Sequence, residues 1–234
     1  MDRAVGFGKL SQLGIRLAIL DILKSICTPF RDGRTRSKSV DFLLAASAGW
    51  WSVQTLLRMS SAEITVVGVS AAAIHAVVAC AFITRHPPRN LIASHDFVAA
   101  LPSLAISGIV SQLAGPPFVW PWRCQALFTC GALITVISIC HLGKSFAVLP
   151  HDRPLVTSGA YQYIRHPMYL GETLMLLSCC TTQTKWGALP LMILSLTAIA
   201  IRIVVEESRL RLSNAQSFNT YTALVKWRLV PFVW

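Results

Sequence analysis

Charge is scarce in this sequence, and acid is scarcest. Only 13% of the 234 residues are charged, and Asp and Glu number ten against twenty-one Lys and Arg. A water-soluble domain carries about a quarter charged residues, so a soluble globular chain is excluded. Seven cysteines occur, Cys27, Cys80, Cys124, Cys130, Cys140, Cys179 and Cys180, without a single C-x-x-C pair. Most lie inside apolar runs, which reads as core packing and leaves no disulfide framework and no metal site. Residues 1–27 have neither the continuous apolar core nor the small-residue cleavage site of a signal peptide. There is no internal repeat and no low-complexity segment. No basic–aromatic surface accompanies the net charge of +11, so nucleic acid is not expected as a partner.

What the chain has in abundance is apolar sequence. Hydrophobic residues make up 54% of it and the mean hydropathy is +0.57. An integral membrane protein follows, of a length that suits one domain. Six apolar runs are visible, at about 42–57, 64–84, 97–114, 123–142, 168–184 and 186–205. A helical span needs about twenty residues, so the first and fifth are short. Thr181 to Lys185 is the only polar break between the last two, which predicts a tight helical hairpin. The expected fold class is therefore all-α, a polytopic bundle of about six transmembrane helices. Residues 9–27 repeat Leu10, Leu13, Leu17 and Leu20 at helical spacing among Lys9, Arg16, Asp21 and Lys24. That pattern predicts an amphipathic interfacial helix, with a partner-binding helix as the other reading. Residues 1–41 then form that helix and a basic linker, 42–120 the N-terminal spans, and 121–234 a core that carries chemistry.

Lys and Arg distribute unevenly between alternate loops. With the 28–41 linker inside, thirteen fall on that side, among them Arg31, Arg85, Lys144, Arg165 and Arg228. Only Arg58, Arg123 and Lys185 fall on the other. The asymmetry predicts cytoplasmic termini and a cytoplasmic 143–167 loop. Trp50, Trp51, Trp120, Trp122 and Trp186 fall near span ends and read as interfacial belts. His75, in mid-span, reads as a helix–helix hydrogen-bonding group, and His141 and His151 as structural or solvated. Pro87-Pro88 and Pro116-Pro117 read as loop punctuation.

Two polar clusters share the inferred cytoplasmic face. The first is the segment Leu155–Gly171, LVTSGAYQYIRHPMYLG, which places Tyr161, Tyr163, Arg165, His166 and Tyr169 at a bilayer edge. Such groups need water, a partner or a ligand there. The second is Arg202 with Glu206 and Glu207, where the last apolar run ends; Arg202 and Glu206 stand at i,i+4 and share a helix face. Glu172, one residue past the first cluster, is a costly charge that either pairs with Arg202 or lines a pocket. A helical hairpin would bring both clusters to one end of the bundle. Arg165 and His166 then offer donors to a carboxylate, Glu206 and Glu207 accept from an ammonium or ribose hydroxyls, and the tyrosines offer faces to an adenine or a cation. S-adenosyl-L-methionine carries every one of those groups.

These residues also carry a family resemblance. Leu155–Gly171, with GKSF at Gly143–Phe146 upstream, resembles the signature of the isoprenylcysteine carboxyl methyltransferases, membrane enzymes related to phospholipid methyltransferases. RIVVEESRL, Arg202–Leu210, resembles that family's R-I-x-x-E-E-x-x-L segment, and SFNTYTALVKWRLVPF, Ser217–Phe232, its aromatic and basic tail. The match covers roughly 123–234. It implies a cytosol-facing S-adenosylmethionine site closed by the C-terminal segment. By matched position, Leu155, Val156, Gly159, Tyr161, His166, Tyr169, Gly171 and Glu207 would contact the cofactor. Arg165, Glu206 and Glu207 would act in catalysis, Arg165 holding an acidic substrate or balancing charge. Ala160 departs from a common proline. Asn219 and Thr220 replace an acidic pair, and Leu224 stands where a second tail tyrosine is expected beyond Tyr221. Those last departures bear on the substrate, by resemblance a prenylcysteine-type carboxylate. A phospholipid amine or a small thiol are the other acceptors. An NADPH-dependent sterol-type membrane reductase and a non-catalytic scaffold are the competing functions. The partners expected are a membrane-embedded lipophilic substrate and the membrane lipids.

Overall fold

The structure is a computed structural model that describes residues 33–59, 64–85, 94–146, 155–182 and 188–234. The amphipathic helix expected over 9–27, His151 and Trp186 lie outside the described residues. The chain clusters into two compact units, 1–36 and 37–234; apart from residues 33–36, everything below lies in the second.

Every regular element among the described residues is a helix. In sequence order they are α1 (Gly33–Arg58), α2 (Val66–Thr84), α3 (Ser94–Leu113), α4 (Trp122–Leu142), α5 (Pro167–Thr181), α6 (Ala188–Ser213) and α7 (Ala215–Leu224), with short 3-10 turns at Pro117–Val119, Gly143–Ser145 and Gly159–Gln162. An apolar chain in lipid has no other way to satisfy its own backbone within a segment. Three stretches are long and apolar enough to cross a membrane: Val66–Thr84, Trp122–Ser145 and Leu189–Ser213. α5 has 15 residues, about 22 Å at the helical rise.

The helices alternate in direction. Asp41 near the start of α1 pairs with Arg85 at the end of α2, and Arg85 lies over the Phe82 ring. Phe82 packs edge-on against Phe146 beyond α4, in a cluster with Ala45, Leu142 and Tyr161. At the opposite end, Ser178 of α5 donates to the Cys124 carbonyl of α4 and Thr182 to the Ala114 carbonyl after α3. The closest helix pair is α4 with α5. There the glycines are required: a Cβ on Gly131 would stand 2.6 Å from the Gly171 carbonyl oxygen, and one on Gly171 would stand 2.5 Å from that of Gly131 and overlap the Thr135 hydroxyl.

Three sequence expectations change. Trp120 is no belt residue; it is buried, and its Nε1 donates to the Ala114 carbonyl at 3.0 Å. The Nδ1 of His75 is buried without a hydrogen bond among the described residues. α6 does not stop where its apolar run stops at 205, but continues to Ser213. Glu206 and Glu207 are therefore inside a helix, with nearly two turns beyond them.

Candidate functional site

The site forms where α5 begins. Pro167 occupies the first helical turn, where its missing N–H costs nothing. The two residues before it turn their backbone donors elsewhere: the Arg165 N–H to the Trp227 carbonyl and the His166 N–H to the Arg228 carbonyl, each at 2.9 Å. The C-terminal segment is thereby laid along the mouth of the bundle. A second tie is Tyr221, whose hydroxyl donates to the Tyr161 carbonyl at 2.7 Å. The Asn214 side chain caps α7 by accepting from the Ser217 N–H, which starts the turn that brings the tail back.

Glu207 is the electrostatic centre. Its Oε1 takes Arg165 Nη1 at 3.1 Å and faces His166 Nε2 at 3.3 Å, while its Oε2 takes Arg228 Nε at 3.0 Å. Both oxygens are engaged in a buried position, as a buried charge requires. The other donors of Arg165 go to backbone: Nε to the Val225 carbonyl at 2.7 Å, and Nη2 to those of Lys226 at 3.1 Å and Thr222 at 3.3 Å. Four of the five guanidinium N–H groups thus fasten the C-terminal segment or meet Glu207. Glu206, one residue back, points to the other side, where its Oε2 accepts from the Tyr169 hydroxyl at 2.7 Å.

A small chamber lies between these groups, lined by Leu155, Val156, Tyr161, Arg165, His166 and Glu206, with Leu142, Leu210, Phe218 and Tyr221 closing it. It encloses about 20 Å³, room for one water. Leu155, Leu210, Phe218 and Tyr221 also wall a groove of about 890 Å³ outside it, lined further by Thr157, Gln162, Ser213, Asn214, Ser217 and Thr220. That volume is in the range of small-molecule sites. The groove offers hydroxyl and amide groups without a charge, suited to a nucleoside, and the chamber adds carboxylate and imidazole, suited to an ammonium and a sulfonium. The donor set fits S-adenosylmethionine.

Six of the residues singled out from the sequence, Leu155, Val156, Tyr161, Arg165, His166 and Glu206, line one chamber. Glu207 lies behind it, in contact with Arg165 and His166. Tyr169 reaches the chamber through Glu206. Gly171 faces α4, at the helix crossing. Gly159 has a positive φ of 62° and lies against the ring of His141, where any side chain would collide. Arg228 and Phe218 belong to the cluster and carried no signal beyond a basic, aromatic tail. Among the described residues no group of His, Cys, Asp or Glu is placed to hold a metal ion.

Residues 122–213 match the family model described as phospholipid methyltransferase. That family belongs to the wider group of membrane methyltransferases that includes the isoprenylcysteine carboxyl methyltransferases, and its enzymes generally use S-adenosylmethionine. No curated protein matches the chain. On the strength of the family match, the chain is an enzyme of methyl transfer, embedded in a membrane by apolar helices.

Proposed function

We propose that the chain transfers a methyl group from S-adenosylmethionine to a lipophilic acceptor taken from the membrane, at the cytoplasmic end of a six-span bundle. In this reading residues 121–234 are the methyltransferase core and 42–120 are supporting spans. The observation that carries it is the convergence of Arg165, His166 and Tyr169 with Glu206 and Glu207 around one chamber that adjoins a nucleoside-sized groove. Two sequence segments about forty residues apart meet there.

The donor supplies an activated methyl on a positive sulfur. The residues of the chain have to bind, align and keep water out. Leu155, Val156, Leu210, Phe218 and Tyr221 exclude water. Thr157, Gln162, Asn214 and Ser217 address the nucleoside. Glu206 accepts from the acceptor or the donor's ammonium, held in place by Tyr169. Glu207 orders Arg165, His166 and Arg228. Carboxylates set on the ammonium, the ribose or the acceptor aid transfer; set against the sulfur they would stabilise the ground state.

Arg165 bears on the choice of acceptor. Its guanidinium is spent on three backbone carbonyls and Glu207, which leaves little to hold a substrate carboxylate. The amine of a phospholipid headgroup, with Glu206 as the proton acceptor, is the acceptor class this arrangement favours. Purified full-length chain should bind S-adenosylhomocysteine by calorimetry and ignore NADPH. With labelled donor it should label phosphatidylethanolamine vesicles in preference to S-farnesylcysteine. Absence of S-adenosylhomocysteine binding would sink the reading; labelled S-farnesylcysteine alone would return the carboxylate acceptor. A cysteine introduced at Ser158 should react with impermeant reagent from the cytoplasmic side only, and outside labelling would reverse the orientation.

A further inference from the structure

A second polar array lies deeper, along the seam of α5 and α6. Tyr169 and Glu172 stand at i,i+3 on α5, and Arg202 and Glu206 at i,i+4 on α6, so each pair shares a helix face. Arg202 is 2% exposed and belongs to a stretch long and apolar enough to cross a membrane. A charge there is costly unless paired. Its Nη1 meets Glu172 Oε2 at 3.2 Å and the Ser103 hydroxyl at 3.0 Å. Its Cζ lies 4.7 Å from the centre of the Tyr169 ring, a cation–π contact. Glu172 in turn accepts from the Ser107 hydroxyl at 3.1 Å. Ser103 and Ser107 are one turn apart on α3, a helix outside the 122–213 stretch that matches the family model.

The array could merely glue three helices. Its far end says more: the Tyr169 ring that Arg202 holds is the ring whose hydroxyl donates to Glu206 at 2.7 Å, and Glu206 lines the chamber. We infer that Ser103, Ser107 and Glu172 are positioning residues for methyl transfer: they brace Arg202 against Tyr169, and Tyr169 fixes the Glu206 carboxylate at the chamber wall. The N-terminal spans thereby take part in the chemistry without touching it. The inference rests on the methyltransferase reading above.

The test is a double-mutant cycle in the full chain, with phosphatidylethanolamine vesicles as acceptor. Glu172→Gln should lower kcat at least tenfold, while the affinity for S-adenosylhomocysteine stays within threefold of the unmodified chain. In a Tyr169→Phe background the same change should cost nothing further, because the relay is already cut. Fluorine NMR of a fluorotyrosine at position 169, recorded without cofactor, should shift in Glu172→Gln and return toward its original position in Glu172→Asp. Equal losses in both backgrounds, or an unmoved resonance, overturn the relay. If Glu172→Gln does not fold, Ser107→Ala enters the cycle in its place, with a smaller fall in kcat and the same non-additivity. An unmodified chain that neither binds S-adenosylhomocysteine nor labels the vesicles overturns the underlying reading instead, and the relay with it.

Discussion

The two ends of α5 are both buried and both dense in hydrogen bonds, yet they are made of different chemistry. At the C-terminal end the partners are neutral: Ser178 with the Cys124 carbonyl, Thr182 and Trp120 with the Ala114 carbonyl. At the N-terminal end they are ionic: Glu207 with Arg165, His166 and Arg228. The neutral end shows that hydroxyls and an indole are enough to close a helix terminus between apolar neighbours. Charge is therefore not needed for closure. Ions kept in a buried place at a cost in desolvation set apart the end at which the methyl-transfer site is proposed.

The contrast can be broken most forcefully at Glu207. Glu207→Gln leaves Arg165, His166 and Arg228 facing one another without an anion. It should destabilise the folded chain by about 3 kcal/mol, seen as an earlier midpoint in denaturant titration, and abolish S-adenosylhomocysteine binding in calorimetry. A stable variant with intact binding would place the carboxylate outside the site. Gly171→Ala comes next, because its Cβ has no space against Gly131 and Thr135. It should cost up to about 3 kcal/mol by overpacking, read as a fall in melting temperature that Thr135→Ser does not produce.

Tyr169→Phe removes a hydrogen bond to a charged group, about 2 kcal/mol. The expected mark is a loss of methyl transfer larger than the loss of thermal stability. Equal modest losses would make Tyr169 a packing residue. The smallest effect belongs to the neutral end. Ser178→Ala should cost about 1 kcal/mol, with methyl-transfer rate and S-adenosylhomocysteine affinity unchanged. A Ser178→Ala chain that folds normally but loses transfer would erase the distinction between the two ends.

Much of the charged end was legible in sequence because its residues come in tight, ordered groups. Arg165-His166-Pro167 and Glu206-Glu207 are each local, and the helices at which they lie, α5 and α6, pack together. Glu172 was not resolvable that way: a lone carboxylate fits either an ion pair or a pocket, and only the packing of α5 on α6 set it against Arg202. Trp120 was misread because nearness to a span end says nothing about which side a ring faces. The end of α6 was misplaced because an apolar run measures contact with lipid, whereas a helix continues as long as its backbone ladder does. Arg228 escaped because nothing local distinguishes a basic residue that anchors topology from one that meets a buried carboxylate.

Composition and order alone determined that this chain is helical and carries stretches apolar enough to cross a membrane, since apolar length and local motifs are properties of neighbours along the chain. Tertiary structure decided what each charge is for. It gave Arg165 to the tail's carbonyls, Glu206 to Tyr169, and Arg202 to Glu172 and a serine ninety-nine residues away, because partners across a helix seam are chosen by distance in space, which spacing in sequence does not encode.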